Sequence, residues 1–306
     1  LDRSRAQRRG GTGKSATKTK DEDFIDQPFE ATTHDTLLCF TSRGKIHWMK
    51  VYQLPQASHV SRGKPIVNLL PLEKDERVNA VLPVREYPDD QFVFFATRNG
   101  IVKKTPLSDY SRPRANGIWA IDLPEDDELV NVTLTDGGKD IMLFSSSGKC
   151  IRFVEDAVRP MGRTARGVIG IRLADDHRVV SMLEVSEGDI LTVTENGFGK
   201  RTPVEQFPVQ GRAGMGVISI KTSDRNGDQI GAVRVFEDDE ILLITDGGTL
   251  VRTRVADVSQ MSRGTQGVKM ISLTKGETLI GIERIEAHEE GDETGDDSGE
   301  SGSEDS

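Results

Sequence analysis

The most constraining feature of this sequence is an internal repeat of about fifty residues. Five segments begin with an apolar, strand-like run that leads into a glycine turn. The turn glycines, spaced 56, 48, 49 and 51 residues apart, are Gly44, Gly100, Gly148, Gly197 and Gly248. A second glycine follows each turn after 17 or 19 residues, and Gly13 extends this second series backward by one unit. These anchor glycines are Gly13, Gly63, Gly117, Gly167, Gly216 and Gly267.

Two more alternating runs follow each anchor glycine, so that one unit reads as four short strands. Four-stranded units that repeat at about fifty residues predict blades arranged around an axis, as in a propeller. Separate β domains are the alternative, but a unit of this size buries too little apolar surface to fold alone. The six anchors therefore predict an all-β fold of six blades over residues 1–285, the first blade being incomplete in this chain.

Charge is distributed unevenly along the 306 residues. Residues 286–306 hold ten acidic side chains and no Lys or Arg, which matches the whole formal net charge of −10. A segment this polar cannot bury a core, and we expect 286–306 to be an acidic, disordered tail. Residues 1–20 have the opposite charge balance, with seven basic side chains and one acidic side chain.

The sequence shows no secretory signal and no apolar run of membrane-spanning length. Cys39 and Cys150 lie in apolar alternating segments, as expected of buried thiols in a reducing cytoplasm. The five histidines have no metal-ligand spacing, so that no metal site is expected.

The stretch QRRGGTGKS, residues 7–15, matches a nucleotide-binding loop only in part. Gly13, Lys14 and Ser15 fit the pattern G-x-x-x-x-G-K-[ST], but Arg8 occupies the position of the first glycine. The six residues before it are also too short and polar for the strand that such a loop requires. What remains is an open, glycine-rich loop flanked by arginines, which suits the phosphates of a nucleic-acid backbone.

Basic residues recur at two places in the repeat. Four positions after the turn glycine, four of the five units carry Lys or Arg, and we expect this position to face solvent. The segment leading to each anchor glycine always contains arginine, which predicts loops along one rim that form an electrostatic track for a polyanion. Scattered arginines that aid solubility are the alternative, but solubility does not require the same loop in each blade. The DNA contacts predicted from the repeats are Arg62, Lys103, Lys104, Arg112, Arg114, Arg152, Arg163, Arg166, Lys200, Arg201, Arg212, Arg252, Arg254 and Arg263.

The QRRGGTG segment resembles the box that marks the C-terminal domain of the DNA gyrase A subunit, and the six-fold repeat extends the resemblance over residues 1 to about 285. The family usually has Lys or Arg where this chain has Thr12, and Lys14 lies close enough to substitute. The resemblance implies a β-pinwheel whose blades exchange strands, and which wraps duplex DNA around its outer rim without regard to base sequence. The resemblance adds nine residues to the predicted DNA contacts, namely Gln7, Arg8, Arg9, Gly10, Gly11, Gly13, Lys14, Lys18 and Lys20.

The resemblance also implies what this chain does not carry. In the family, the DNA-cleaving tyrosine and the ATPase lie in other domains or in the B subunit, so that no catalytic residue and no cofactor are expected here. ATP and Mg²⁺ would be used by other parts of the holoenzyme, an ATP-dependent type II topoisomerase and hence an isomerase. The implied partners are duplex DNA, the rest of the A subunit, and the B subunit in an A2B2 heterotetramer. The implied location is the bacterial cytoplasm, at the nucleoid and away from membranes, where a positive DNA crossing is converted into negative supercoils.

Other functions stay open at this point. The chain also fits the C-terminal domain of the topoisomerase IV A subunit, which would steer the choice of DNA substrate. A propeller that binds a protein would more often show exposed aromatic side chains, which make up only 5% of this sequence. An enzyme with a site in a central channel would need an acid pair, a nucleophile or a metal cluster at a common strand end, and none recurs in the repeats.

Overall fold

The computed structural model of this chain describes residues 34–53 and 69–287. The strands are β1 (Thr36–Thr41), β2 (Lys45–Lys50), β3 (Val78–Val84), β4 (Phe92–Thr97), β5 (Ile101–Pro106), β6 (Ile118–Trp119), β7 (Leu129–Thr135), β8 (Asp140–Ser145), β9 (Lys149–Val154), β10 (Val168–Ile169), β11 (Val179–Val185), β12 (Asp189–Thr194), β13 (Phe198–Pro203), β14 (Val217–Ile218), β15 (Gln229–Val235), β16 (Glu240–Thr245), β17 (Leu250–Arg254), β18 (Val268–Lys269) and β19 (Leu279–Ile285). Short 3-10 helices follow the hairpins at Val51–Gln53, Leu107–Tyr110, Glu155–Ala157, Val204–Gln206 and Val255–Asp257. Over these described ranges, no helix is long and apolar enough to cross a membrane.

These strands form five antiparallel sheets, which we call blades. The strand orders are β3-β1-β2-β6, β7-β4-β5-β10, β11-β8-β9-β14, β15-β12-β13-β18 and, in the fifth blade, β19-β16-β17. Each blade has one hairpin at its centre and one long strand beside it. The short fourth strand comes from the following unit of the chain, so that neighbouring blades are joined by strand exchange.

The long strands β3, β7, β11, β15 and β19 contact one another in succession and line the inner side of the array. The short strands β6, β10, β14 and β18 lie at the opposite edge, which is therefore the outer rim. Buried clusters fill the spaces between successive blades. The first is built around Phe40, Phe95 and Tyr110, with the two phenylalanine rings edge to face at 5.5 Å.

The conformation of the repeated glycines explains why the sequence keeps them. All five turn glycines have positive φ, between 81° and 91°, as tight hairpin turns require. The described anchor glycines are also left-handed, and they lie where an outer strand approaches its hairpin. A Cβ on Gly216 would collide with the carbonyl oxygen of Cys150, and one on Gly167 with that of Val102. Strand exchange therefore needs glycine at the anchor.

The structure confirms the all-β fold and the burial of both cysteines, which are free thiols. The six units predicted from the sequence correspond here to five blades. The unit anchored on Gly13 lies outside the described residues, as does the acidic tail beyond Ala287.

Candidate nucleic-acid interface

Among the residues that the structure describes, four loops lie along the outer rim, each directly before an outer strand. These rim loops are residues 111–117, 161–167, 209–216 and 261–267. Arg112, Arg114 and Arg166 are exposed there, and Arg163, Arg212 and Arg263 are half-buried. The structure thus places these six arginines in equivalent loops at one edge of consecutive blades, as the sequence predicted.

The half-buried arginines link each rim loop to the preceding outer strand. Nη1 of Arg163 donates to the carbonyl of Trp119 at 3.3 Å, and Nη1 of Arg263 donates to that of Ile218 at 3.0 Å. Arg212 makes the equivalent bond to Ile169 at 3.0 Å. The same contact in three successive blades fixes the position of one cation per blade. A guanidinium has five donors, so that others are left for a ligand at the rim.

The exposed arginines differ in their surroundings. Arg112 and Arg114 make no ion pair among the described residues, whereas Nε of Arg166 lies 2.8 Å from Oδ2 of Asp122. That contact raises the pKa of Arg166, chiefly through the hydrogen bond to Asp122. The charge of Arg166 is therefore already partly neutralised before any ligand binds.

The second predicted position, on the hairpin strand, does not face solvent, and that expectation was wrong. Lys103, Lys104, Lys200 and Arg201 are buried, and the side chains of Arg152 and Arg252 are only 14% and 19% exposed. The reason is strand exchange. The segment that leads to the next rim loop runs beside this strand, so that Met161 N donates to the carbonyl of Lys104 and Gln210 N to that of Arg152, both at 2.7 Å.

Each buried arginine at this position has an acid twelve residues before it, on the first strand of the same hairpin. Arg152 pairs with Asp140 at 2.9 Å, Arg201 with Asp189 at 3.3 Å, and Arg252 with Glu240. Lys104 instead lies over the ring of Phe92, with Nζ 4.8 Å from its centroid. An acid twelve residues before each arginine was visible in the sequence and would have identified these arginines as structural.

Lys103 and Lys200 are buried completely and point into the next rim loop. Nζ of Lys103 donates to the carbonyls of Ala120 at 2.6 Å and Arg163 at 2.5 Å. Burial, reinforced by the charge of Arg163, lowers the pKa of Lys103 to about 7. In the same way, burial and the charge of Arg263 lower the pKa of Lys200 to about 8. Arg254, the remaining predicted contact on this strand, is exposed and pairs with Asp257 at 3.1 Å.

Exposed basic residues at the rim that were missed from the sequence include Arg172 and Lys221, which lie beside rim loops. Main-chain N of Arg172 donates to the carbonyl of Gly214, and main-chain N of Lys221 to that of Thr265, both at 2.9 Å. Each therefore lies against the rim loop of the next unit. Both stand five positions after an anchor glycine, and this repeated spacing could have predicted them as rim residues. The equivalent residue in the second unit is Asp122, the partner of Arg166.

The remaining predicted contacts lie outside the described residues. They are Gln7, Arg8, Arg9, Gly10, Gly11, Gly13, Lys14, Lys18, Lys20 and Arg62. In the described ranges, no group of three or more His, Cys, Asp or Glu side chains is placed to hold a metal ion.

Comparisons with known proteins match the repeats and the fold of this chain. A family model described as the DNA gyrase C-terminal domain, beta-propeller, matches residues 5–29, 35–85, 91–136, 139–186, 188–236 and 239–286, which correspond to the six predicted units. The chain is 58% identical over 281 residues to the DNA gyrase A subunit of Salmonella typhimurium and 53% identical over 287 residues to that of Escherichia coli K12. These matches cover 92% and 93% of this chain. They cover 32% and 33% of those proteins, so that the chain spans about a third of the length of the relatives it matches.

Two solved structures have the same fold. A DNA gyrase A C-terminal domain matches with a TM-score of 0.79 at 24% identity, over 93% of this chain and 94% of that one. The C-terminal domain of a DNA topoisomerase IV matches with a TM-score of 0.76 at 29% identity, over 83% of this chain and 80% of that one. With a family model matching six consecutive units and relatives above 50% identity, this chain belongs to the DNA gyrase C-terminal domain, beta-propeller family.

Proposed function

We propose that this chain binds duplex DNA along its outer rim and wraps it, as the C-terminal domain of the A subunit of a DNA gyrase. The observation that carries the proposal is the recurrence of arginine in the same rim loop of successive blades, with Arg172 and Lys221 beside two of those loops. Cations spaced along a curved edge follow the phosphates of a bent duplex. Because phosphates carry no base code, binding is nearly indifferent to sequence.

Bending explains why several blades are needed. Smoothly bending 20–30 base pairs by 40–90° costs on the order of 1 to 6 kcal/mol, which the contacts made along the rim must offset. A duplex wrapped on the rim and led back to the rest of the enzyme forms a positive crossing, and strand passage there yields negative supercoils. In this proposal the rest of the A subunit and the B subunit, in an A2B2 assembly in the bacterial cytoplasm, supply DNA cleavage and the use of ATP and Mg²⁺. The residues that precede 34, including QRRGGTG, would add contacts at one end of the path, and residues 286–306 would form an acidic tail outside the blades.

The proposal is tested by neutralising the exposed rim cations. The variant Arg112→Ala/Arg114→Ala/Arg172→Ala should bind short duplexes more weakly than the parent at every sequence. The slope of log K against log salt should fall by about 0.9 for each phosphate that the variant no longer neutralises. The control is Arg77→Ala/Arg98→Ala, which removes two exposed arginines beside the inner strands and should leave the slope unchanged. Equal slopes for the parent and the rim variant would contradict phosphate binding at the rim.

The likeness to a topoisomerase IV domain supports a second candidate, a domain that binds DNA to select the substrate without wrapping it. Sealing a nicked circle with the protein bound separates the two functions. Wrapping shifts the linking number of the sealed circle, and simple binding leaves it unchanged. A protein-binding propeller would leave both the duplex affinity and the linking number unaffected by rim substitutions.

A further inference from the structure

In the first four blades, one position on the second hairpin strand lies directly beneath the rim loop of the next unit. It stands three residues after the turn glycine and is occupied by His47, Lys103, Ile151, Lys200 and, in the fifth blade, Val251. All five side chains are buried. The position is cationic in two blades and apolar in two others, although its place in the fold is the same.

The two lysines bind main-chain oxygens rather than acids. Nζ of Lys200 lies 2.6 Å from the carbonyls of Ser262 and Arg263, and 3.0 Å from that of Thr265. Lys103 holds the carbonyl of Arg163 in the same way, together with that of Ala120. An ammonium group has three donors and no acceptor, so these carbonyls use most or all of its hydrogen-bonding capacity. Both lysines are fully buried, with no exposed surface.

We infer that Lys103 and Lys200 are positioning residues of the DNA interface, whose buried ammonium groups hold the rim loops carrying Arg163 and Arg263 and do not contact the DNA. This inference rests on the function proposed above. The carbonyl of each arginine is held inward by the lysine, and its guanidinium bonds the preceding outer strand, at Trp119 or Ile218. The arginine that would contact a phosphate is therefore held at its main chain by the lysine and at its guanidinium by the outer strand.

The third blade shows that the loop can also be held without a cation. Ile151 occupies the position there, and its Cδ1 packs near Gly214 of the rim loop above it. That loop differs, because Ala213 has a positive φ of 70° and Nε of Arg212 bonds the carbonyl of Ala157 at 3.0 Å. An apolar side chain is thus compatible with the blade, and replacing a lysine by methionine should not by itself unfold it.

Charge couples the lysines to anything that binds the arginines. Arg163 faces Lys103 and lowers its pKa, while Asp109 and Asp122 raise it. Arg263 faces Lys200 and lowers its pKa, while Cys150 raises it. A phosphate that pairs with the arginine offsets this repulsion and favours the protonated lysine. DNA binding should therefore take up protons near neutral pH, and binding should weaken as the pH rises from about 7 to 9.

The first experiment is a double-mutant cycle in the full chain, with duplex affinity as the readout. Arg263→Ala should weaken binding by about tenfold, Lys200→Met by a similar factor, and the double variant by no more than either alone, because both act through one contact. Val251→Met, a change to the same residue at the equivalent position of the fifth blade, where the described residues include no rim loop above it, is the control and should bind like the parent. Additive losses would mean that Lys200 contacts DNA independently and would overturn the inference.

The remaining outcomes separate the inference from the proposed function. If Arg263→Ala weakens binding but Lys200→Met does not, the positioning role is wrong and the rim interface stands. If neither Arg263→Ala nor the three-arginine rim variant affects binding, the proposed function itself is wrong.

A second measurement gives its main result on the unaltered protein. Calorimetric titration of the unaltered protein with duplex, in buffers of different ionisation enthalpy at pH 7.5, gives the number of protons bound. We expect net uptake in the parent and a smaller uptake in Lys200→Met. A phosphate-contacting lysine that is always charged would show no uptake, and that result would overturn the inference.

Discussion

Nε of Arg152 lies 2.9 Å from Oδ2 of Asp140, twelve residues earlier on the neighbouring strand of one hairpin. Nη1 of the same arginine donates to the carbonyls of Val204 and Phe207 in the next unit, at 3.0 and 3.2 Å. This one side chain therefore joins two blades, and its charge is neutralised within the fold. Arg152, one of the DNA contacts predicted from the repeats, is therefore a structural link between blades.

We therefore expect Arg152→Ala to act on stability. Removing the guanidinium leaves Asp140 with an uncompensated charge in a largely buried site, and the free energy of unfolding should fall by about 3 kcal/mol. Urea denaturation measures this change. At a temperature where the variant is folded, its slope of log K against log salt for duplex binding should equal that of the parent.

The matched control is Arg254→Ala, since Arg254 also pairs with an acid but is 60% exposed. Its effect on the free energy of unfolding should stay within about 0.5 kcal/mol. A salt slope that falls in Arg152→Ala while stability is unchanged would restore this arginine as a phosphate contact.

The anchor glycines allow a test within a single loop. Gly167 has φ of 97°, and a Cβ there would collide with the carbonyl oxygen of Val102 on β5, the strand of the preceding unit that β10 pairs with. Gly162, five residues earlier in the same rim loop, has open space around its Cα. Gly167→Ala should lower the free energy of unfolding by about 2 kcal/mol or more, and Gly162→Ala should change it little. Equal effects would mean that the anchor position tolerates a side chain and that close strand exchange does not require glycine.

The sequence predicted the repeat, the turns and the loop arginines because each depends on local residue types. Positive φ at Gly100 or Gly167 is a local requirement, and periodic glycines reveal it. The burial of Lys103 and Arg201 could not be predicted in this way, because it depends on which strand the next unit supplies to the blade. A polar residue on a strand is predicted to face solvent as long as the strand that pairs beside it is unknown. The sequence signal for the burial of the hairpin arginines was the acid twelve residues before each of them, which indicates an ion pair between the two strands of the hairpin.

Cys39 and Cys150 should be unreactive in the folded protein. Burial raises the pKa of each thiol to about 12, so that almost no thiolate is present at pH 8. Titration with a disulfide reagent should give no fast-reacting thiol in the native protein and two after denaturation. Fast modification of either thiol without denaturant would mean that its blade opens locally under native conditions.

His47 makes stability depend on pH below neutrality. Its ring is buried beneath the rim loop at Gly117, and Nε2 has no hydrogen-bond partner among the described residues. Burial lowers the pKa of His47 from 6.5, Glu76 opposes this shift, and Lys45 adds to it. Protons therefore bind the unfolded chain more tightly than the folded one. The contribution of His47 to the free energy of unfolding is complete above pH 6.5 and is lost as the pH falls toward the lowered value.

Replacing His47 by isoleucine, the residue that the third blade has at this position, should remove this dependence. Urea unfolding at pH 7.5, 6.5 and 5.5 should show a loss of stability in the parent that is smaller in His47→Ile, because the proton uptake on unfolding is gone. The comparison uses the change with pH within each protein, so that any constant difference from altered packing cancels. His34→Gln, at an exposed histidine, is the control and should follow the parent. If His47→Ile loses stability with pH as steeply as the parent does, the imidazole is not held neutral beneath the rim loop and other groups cause the acid sensitivity.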